Sequence, residues 1–160
     1  MSNNQRGVAY WISAWWPVAI SVAVVTISSS DLFSAPHSVH LLQRIVEAIF
    51  GPVPGIPWDK VNFWVRKSGH FTGYGLIGLS WLRAWWMTLP HSRYALDAGL
   101  SLLGCAAMAS LDEWHQSYIP TRTGSPWDVL LDCTGACTMM LVAYILLRIF
   151  RPKRLRHQAA

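Results

Sequence analysis

Charged side chains are scarce in this sequence, acidic ones above all: eight aspartates and glutamates stand against 13 lysines and arginines. Charged residues make up 13% of the 160 residues, whereas an ordinary soluble domain carries about 25%. This deficit argues for a membrane protein. The ten tryptophans agree, because tryptophan collects at the headgroup level of a bilayer. The length predicts a single domain over residues 1–160.

Cysteines are few as well. Cys105, Cys133 and Cys137 lie in or beside apolar stretches, and their spacing fits neither a zinc site nor a secreted disulfide framework. We expect them to pack as small apolar side chains.

The net charge of +5 does not indicate a nucleic-acid partner, because of where the basic residues lie. Five of them stand at the C-terminal end, within the last turn of the last apolar run or after it: Arg148, Arg151, Lys153, Arg154 and Arg156. Such a cluster is typical of a cytoplasmic anchor that faces anionic lipid. We therefore expect an integral membrane protein with no nucleic-acid partner.

Apolar runs predict an all-α membrane protein with four transmembrane helices. They cover approximately residues 8–27, 65–87, 94–111 and 128–150, each close to the ~20 residues that cross a bilayer. The first run is longer than a signal-peptide core and lacks a clean cleavage site, so it is interpreted as an uncleaved helix. Residues 38–50 form a shorter amphipathic pattern, which predicts a helix lying in the membrane interface.

The second transmembrane helix carries two features that predict its surroundings. Gly69 and Gly73 form a pair of small residues one turn apart, which predicts close approach to another helix. Arg83, near its other end, can extend its long side chain toward the membrane surface.

One stretch, residues 110–132, holds four of the eight acidic residues: Asp112, Glu113, Asp128 and Asp132. A loop that merely joins two membrane helices needs no such density of charge, and charges near a bilayer usually mark function. With both termini in the cytoplasm, this stretch and the start of the second helix both lie on the outer side. Separate segments therefore bring ionisable groups to one membrane depth.

The predicted site is built from these segments. Asp112 and Glu113 form a carboxylate pair that can act as a general acid or base, with His70 as its partner. Lys67 and Arg122 are expected to hold an anion. The other expected ligand-binding residues are Tyr74, Gln116, Ser125, Asp128 and Asp132.

These assignments have structural alternatives. The charges can be an ion-pair network that only fastens three helices together. Ser125 is better interpreted as a helix cap than as a nucleophile, because Pro126 and Asp128 follow it as at a helix start. A metal held by His70 and the carboxylates is possible, but no specific ligand spacing such as His-Glu-x-x-His occurs. Two nearby cationic side chains also lessen the need for one, so no metal is predicted and the cofactor is left unknown.

Four short motifs resemble the VanZ-like family. They are Lys67-Ser-Gly-His70-Phe-Thr-Gly-Tyr74, Asp112-Glu113-Trp-His-Gln116, Pro120-Thr-Arg122-Thr-Gly-Ser125-Pro-Trp-Asp128-Val and Gly135-Ala136. The resemblance covers about residues 58–144. Two positions depart from the family pattern: Asp132 stands where Asn is usual, and Met139 stands where a second Gly is common.

The resemblance implies a small multi-pass bacterial membrane protein, and the family's named member is associated with low-level resistance to the glycopeptide teicoplanin. Together with the charged site, it leads us to expect a protein of the bacterial cytoplasmic (inner) membrane. This protein would bind or modify a phosphate-bearing lipid or lipid-linked envelope precursor at the outer leaflet. Whether it is an enzyme stays open, as does its oligomeric state. The alternatives are a non-enzymatic binding or assembly module and, ranked last, a small transporter.

Lysines and arginines predict the orientation. With both termini in the cytoplasm, eight of the 13 lie on the cytoplasmic side and five on the outer side, as the positive-inside rule requires. A reporter fused after Ala160 should therefore be active only if it is of the cytoplasmic type. Activity of a periplasmic reporter at that position would reverse the orientation and move the charged site to the other leaflet.

Overall fold

The computed structural model describes residues 7–30, 34–90, 93–120 and 122–150. Over these residues the chain forms five helices and no strand. The helices are α1 Val8–Ser28, α2 Ala35–Phe50, α3 Trp58–Thr88, α4 Tyr94–Gln116 and α5 Pro126–Phe150. The all-α prediction is confirmed, whereas the basic residues from Arg151 onward lie outside the described residues.

Among the described helices, three are long and apolar enough to cross a membrane, not four: α1, α4 and α5. The exception is α3, of which residues 65–87 were predicted to span. It has 31 residues, about 46 Å at 1.5 Å per residue, so its length suffices. Its charged residues Asp59, Lys60, Arg66, Lys67 and Arg83 interrupt the apolar sequence.

α3 has a central position in the bundle, where Arg66 and Lys67 are partly buried and Asp59, Lys60 and Arg83 are exposed. It packs against each of the other four helices, so much of its surface faces protein rather than solvent or lipid. The small hydrophobic core lies along it, where Tyr74, Ile77 and Leu82 meet Cys105 and Ala109 of α4. A central helix can carry polar side chains on protein-facing positions without exposing them to lipid.

The amphipathic helix α2 is attached to α3 alone among the stronger helix contacts. It ends at Gly51, whose φ of 79° suits glycine because a side chain there would be strained. Asn62 of α3 donates a hydrogen bond to Ser38 of α2, 3.0 Å long. The protein leaves several large apolar side chains of α2 exposed: Leu41, Ile45, Ile49 and Phe50.

The closest helix contact joins α3 to α5. A Cβ added at Gly135 would lie 2.1 Å from the carbonyl oxygen of Phe71, and one at Gly78 would lie 3.2 Å from the Cα of Ala136. The prediction for Gly69 and Gly73 is therefore wrong: a Cβ added at either position meets nothing within 4 Å. The glycine pair lies on a different face of α3 from the one that packs on α5.

Hydrogen bonds from Arg83 attach the first half of α1 to α3, and Pro17 leaves one of their acceptors free. Proline has no N–H, so the carbonyl of Ser13, four residues earlier, receives no helical hydrogen bond from it. Arg83 donates to this carbonyl over 2.8 Å and to that of Ala14 over 3.0 Å. The expectation that Arg83 extends to the membrane surface is thus replaced by a specific anchor for α1.

The glycine contacts predict different effects on stability. Gly135→Ala should destabilise the protein by about 1–3 kcal/mol, as overpacking does, because the new methyl group meets backbone that cannot move aside. Gly69→Ala, the matched control, should be neutral or stabilise by up to about 1 kcal/mol through helix propensity. Melting in mild detergent measures both, and equal Tm values would contradict the assigned α3–α5 contact.

Candidate functional site

Several polar side chains are buried where α4 ends and α5 begins. Each is at most 8% exposed: Asp112, Glu113, Gln116, Arg122 and Asp132. The neighbouring part of α3 adds Lys67, His70 and Tyr74 to the same region. The fold therefore brings residues of α3, α4 and α5 to one region, as predicted. These residues differ in the groups that they bind.

Glu113 is held by the loop that precedes α5. Its Oε2 accepts a hydrogen bond of 2.8 Å from the backbone N–H of Ser125. Gly124 permits this contact, because a Cβ there would lie 2.3 Å from the carbonyl oxygen of Glu113. The other oxygen, Oε1, is buried without a hydrogen-bond partner among the described residues. The role of Gly124 was not predicted from the sequence, where the signal was a glycine directly before a helix cap.

Ser125 itself behaves as a cap. Its hydroxyl accepts the N–H of Trp127 over 3.3 Å, and its carbonyl accepts the N–H of Asp128 over 2.9 Å. These contacts belong to the first turn of α5. Ser125 therefore presents its backbone N–H to Glu113 and uses its hydroxyl locally, which agrees with the interpretation of this serine as a cap.

Asp132 is completely buried and lies beside His70. Its Oδ1 is 3.2 Å from Nδ1 of His70, while Oδ2 has no hydrogen-bond partner in the described part of the chain. The imidazole is 20% exposed and stacks over the Tyr74 ring, with 6.5 Å between the ring centroids and 6° between the planes. The Tyr74 hydroxyl is likewise buried without a partner there.

Lys67 and Asp128 form an ion pair at the edge of the site. Both side chains are partly exposed, at 28% and 17%, so the pair contributes little stability, about 0–1 kcal/mol. Lys67 also lies 5.4 Å from the ring centroid of Phe63. The expected anion-binding lysine is thus already paired with a carboxylate.

Asp112 fastens α1 to α4. Its Oδ1 accepts a hydrogen bond from the hydroxyl of Ser29, at the end of α1, and its Oδ2 accepts one of 2.9 Å from Gln116. Both carboxylate oxygens are therefore occupied by donors within the protein. Of the predicted carboxylate pair, Glu113 is the one that keeps an oxygen available for a ligand.

Arg122 holds the same end of α1. One guanidinium nitrogen donates to the carbonyls of Ser28 and Ser30, over 2.7 and 2.8 Å. The last carbonyls of a helix have no partner inside the helix, and a cationic donor there also complements the helix dipole. Arg122 thus has a structural role that the sequence did not predict, in addition to its place in the wall of the adjoining cavity.

Arg66 is the cation that the sequence analysis passed over. It is half-buried, and within the described residues no hydrogen bond or ion pair involves it. It lines both cavities of the site. Because Lys67 and Arg122 have protein partners, Arg66 is the better placed residue for binding an anion.

Two cavities meet at the site. The larger, about 480 Å³, extends between α1 and α3, and its apolar wall includes Ile20, Val24 and Ile77. Gly69 and Gly73 also line it, which explains their lack of neighbours. The smaller, about 130 Å³, is polar and reaches Lys67, Thr123 and Asp128. Three side chains line both cavities: Arg66, His70 and Gln116.

Three side chains of metal-ligand type also come together behind this junction. His70 of α3, Glu113 of α4 and Asp132 of α5 each place one ligand atom within 4.8 Å of the others. All three were predicted site residues, but their spacing in the sequence gives no ligand motif that would group them.

Three apolar helices of spanning length, with a charged site buried at one end of the bundle, define a small multi-pass membrane protein. The chain belongs to the VanZ/LLP1 family, whose model matches residues 8–148. The match extends the sequence resemblance through α1 and α2. No curated protein and no solved structure matches the chain.

The two arginines of the site predict opposite behaviour on truncation. Arg122→Ala should destabilise the protein by about 1.5–3 kcal/mol, the usual contribution of a hydrogen bond to a charged group, because it frees the end of α1. Arg66→Ala should leave Tm nearly unchanged, since no hydrogen bond or ion pair holds Arg66 within the described residues. Detergent melting of both variants checks this, and a larger loss for Arg66→Ala would refute the division of roles.

Proposed function

We propose that the protein binds a phosphate-bearing lipid or lipid-linked envelope precursor at the outer leaflet of the bacterial cytoplasmic membrane. One observation carries the proposal: the cavity between α1 and α3 is apolar along most of its wall and polar at one end. Apolar wall residues can receive an acyl chain, while Arg66, His70 and Gln116 at the polar end can receive a headgroup.

The proposed topology places four helices across the membrane, with α3 as the fourth. Its 31 residues exceed the ~20 needed to span, and it packs against each of the other four helices. With both termini inside, the end of α1, the end of α4 and the start of α5 reach the outer side, where the site then lies. The exposed apolar side chains of α2 would rest in the outer interface.

Arg66 is the proposed phosphate ligand. A guanidinium binds phosphate through two parallel hydrogen bonds, and this side chain is not committed to another group in the described chain. Arg66 and His70 both line the junction of the cavities, so a phosphate bound by Arg66 would lie beside His70. A headgroup there would also be near Gln116, whose amide lines both cavities.

A second candidate function, a non-enzymatic binding or assembly module, has its own support. The pair Lys67–Asp128 and the contacts of Asp112 and Arg122 are complete within the protein. Much of the predicted charge cluster therefore fastens helices together. Glu113→Gln and His70→Ala separate the candidates: loss of envelope phenotype, such as glycopeptide resistance, at normal protein level favours a functional site. Equal loss of protein and phenotype favours the structural module.

Arg66→Gln should weaken binding of an anionic phospholipid about 10- to 100-fold, the equivalent of one hydrogen bond to a charged group. The measurement is native mass spectrometry of the full chain in mild detergent with phosphatidylglycerol added. Arg44→Gln, which removes the same charge from an exposed position on α2, is the control and should bind normally.

Filling the cavity gives an independent test of the acyl-chain position. Gly73→Leu adds a side chain to the cavity wall without meeting protein at Cβ, so it should reduce lipid retention while Tm is maintained. Gly99→Leu adds the same side chain to a separate cavity between α4 and α5 and should not. Undiminished retention in Gly73→Leu would remove this cavity as the lipid site.

A further inference from the structure

Two buried carboxylates lie at the site without a lysine or arginine partner in the described residues. Glu113 is 5% exposed and Asp132 is 0% exposed, and each keeps one oxygen with no hydrogen-bond partner in the described residues. Neither forms an ion pair with a lysine or arginine there. Burying an unpaired charge is expensive, and unsatisfied buried acceptors are rare in folded proteins. A ligand that supplies positive charge would satisfy both oxygens.

We propose that His70, Glu113 and Asp132 form a binding site for a divalent transition-metal ion of the Zn²⁺ type. Their ligand atoms lie within 4.8 Å of one another. Two ligands on opposite sides of an ion stand roughly 4–5 Å apart at metal–ligand distances of about 2.0–2.6 Å. The three side chains can therefore reach one ion without moving a helix.

The distances around His70 also fit a bound zinc ion. Its Nδ1 and the Oδ1 of Asp132 are 3.2 Å apart, and two ligands of a tetrahedral zinc ion are about 3.3 Å apart for bonds of about 2.0 Å. The second oxygen of Glu113 is fixed by the N–H of Ser125. Ligating carboxylates are commonly oriented by such a hydrogen bond to the oxygen outside the metal bond.

The donor set indicates the kind of ion. Two carboxylates and a neutral imidazole carry a charge of −2, which a divalent cation neutralises. Imidazole favours Zn²⁺ and its neighbours over Mg²⁺ and Ca²⁺, whereas carboxylates alone would not discriminate. The chain contributes no thiolate to the site, since the group consists of one histidine and two acids.

Three protein ligands leave a coordination position open, as in catalytic rather than structural zinc sites. His70 is the ligand that lines both cavities, so the open position is on the side of Arg66. If the lipid proposal is right, a phosphate oxygen can occupy that position while Arg66 holds another. The metal site itself does not rest on that proposal, and it is tested without lipid.

The test uses the full chain in mild detergent, stripped with chelator and dialysed against Zn²⁺, with Mn²⁺ and Mg²⁺ in parallel. We expect one Zn²⁺ per chain by elemental analysis and a higher Tm on Zn²⁺ addition, with Mg²⁺ much weaker. Asp132→Asn and His70→Gln should each weaken Zn²⁺ binding by more than about 100-fold, because changing even an outer partner of a ligand costs about 10- to 100-fold.

The control is His115→Gln, which removes an exposed histidine two residues from Glu113 and should retain the ion. The glutamine of His70→Gln can still donate a hydrogen bond to Asp132, so this variant tests the metal site even where Asp132→Asn does not fold. An adventitious ion only, bound equally by wild type, His70→Gln and Asp132→Asn, would overturn the site. So would the absence of stoichiometric binding. Phosphatidylglycerol binding that depends on Arg66 in the metal-free protein would leave the lipid proposal standing.

Discussion

The rest of the site depends on the burial of two carboxylates, Glu113 and Asp132, between helices that bring them no lysine or arginine. Moving a carboxylate out of water is tolerable only if hydrogen bonds or a cation replace its hydration. The fold supplies some of the hydrogen bonds that replace this hydration. The Ser125 N–H is directed at Glu113, and the His70 ring lies against Asp132.

Glycines make both contacts possible. Gly135 lets α5 approach the backbone of α3 at Phe71. Phe71 is next to His70 in α3, and Gly135 is about one helical turn from Asp132 in α5. Gly124 lets the loop before α5 lie on the end of α4, where Glu113 is. The geometry of the site therefore depends on two close backbone contacts that a side chain at either glycine would prevent.

Helical spacing was enough to predict an all-α fold and to bring His70, Glu113 and Asp132 to one region. Helical spacing was not enough to predict which groups each of these side chains contacts. Gly69 and Gly73 share a face of α3, but spacing does not say whether that face meets a helix or a cavity. Arg122 binds carbonyls of Ser28 and Ser30, more than 90 residues away, and such acceptors have no signature in sequence. Arg66 was overlooked for the same reason: only the fold shows which neighbouring cation has no partner.

The cavity owes its shape to the way α1 is attached. Arg83 holds the carbonyl of Ser13 near one end, and Arg122 holds that of Ser28 at the other. The two anchors are 15 residues apart, about 22 Å along a helix, which is most of the ~30 Å hydrocarbon thickness of a bilayer.

Ile20 and Val24, which lie between the two anchors, line the cavity. Polar anchors at both ends thus fix α1 in place, with Val18 buried in protein and the cavity beside the turns that follow it. Because membrane helices gain little from apolar contact with one another compared with lipid, a lipid chain can occupy the gap with little loss of helix-packing energy. In the proposed complex, the charged end of the gap would meet the part of the lipid that carries the phosphate.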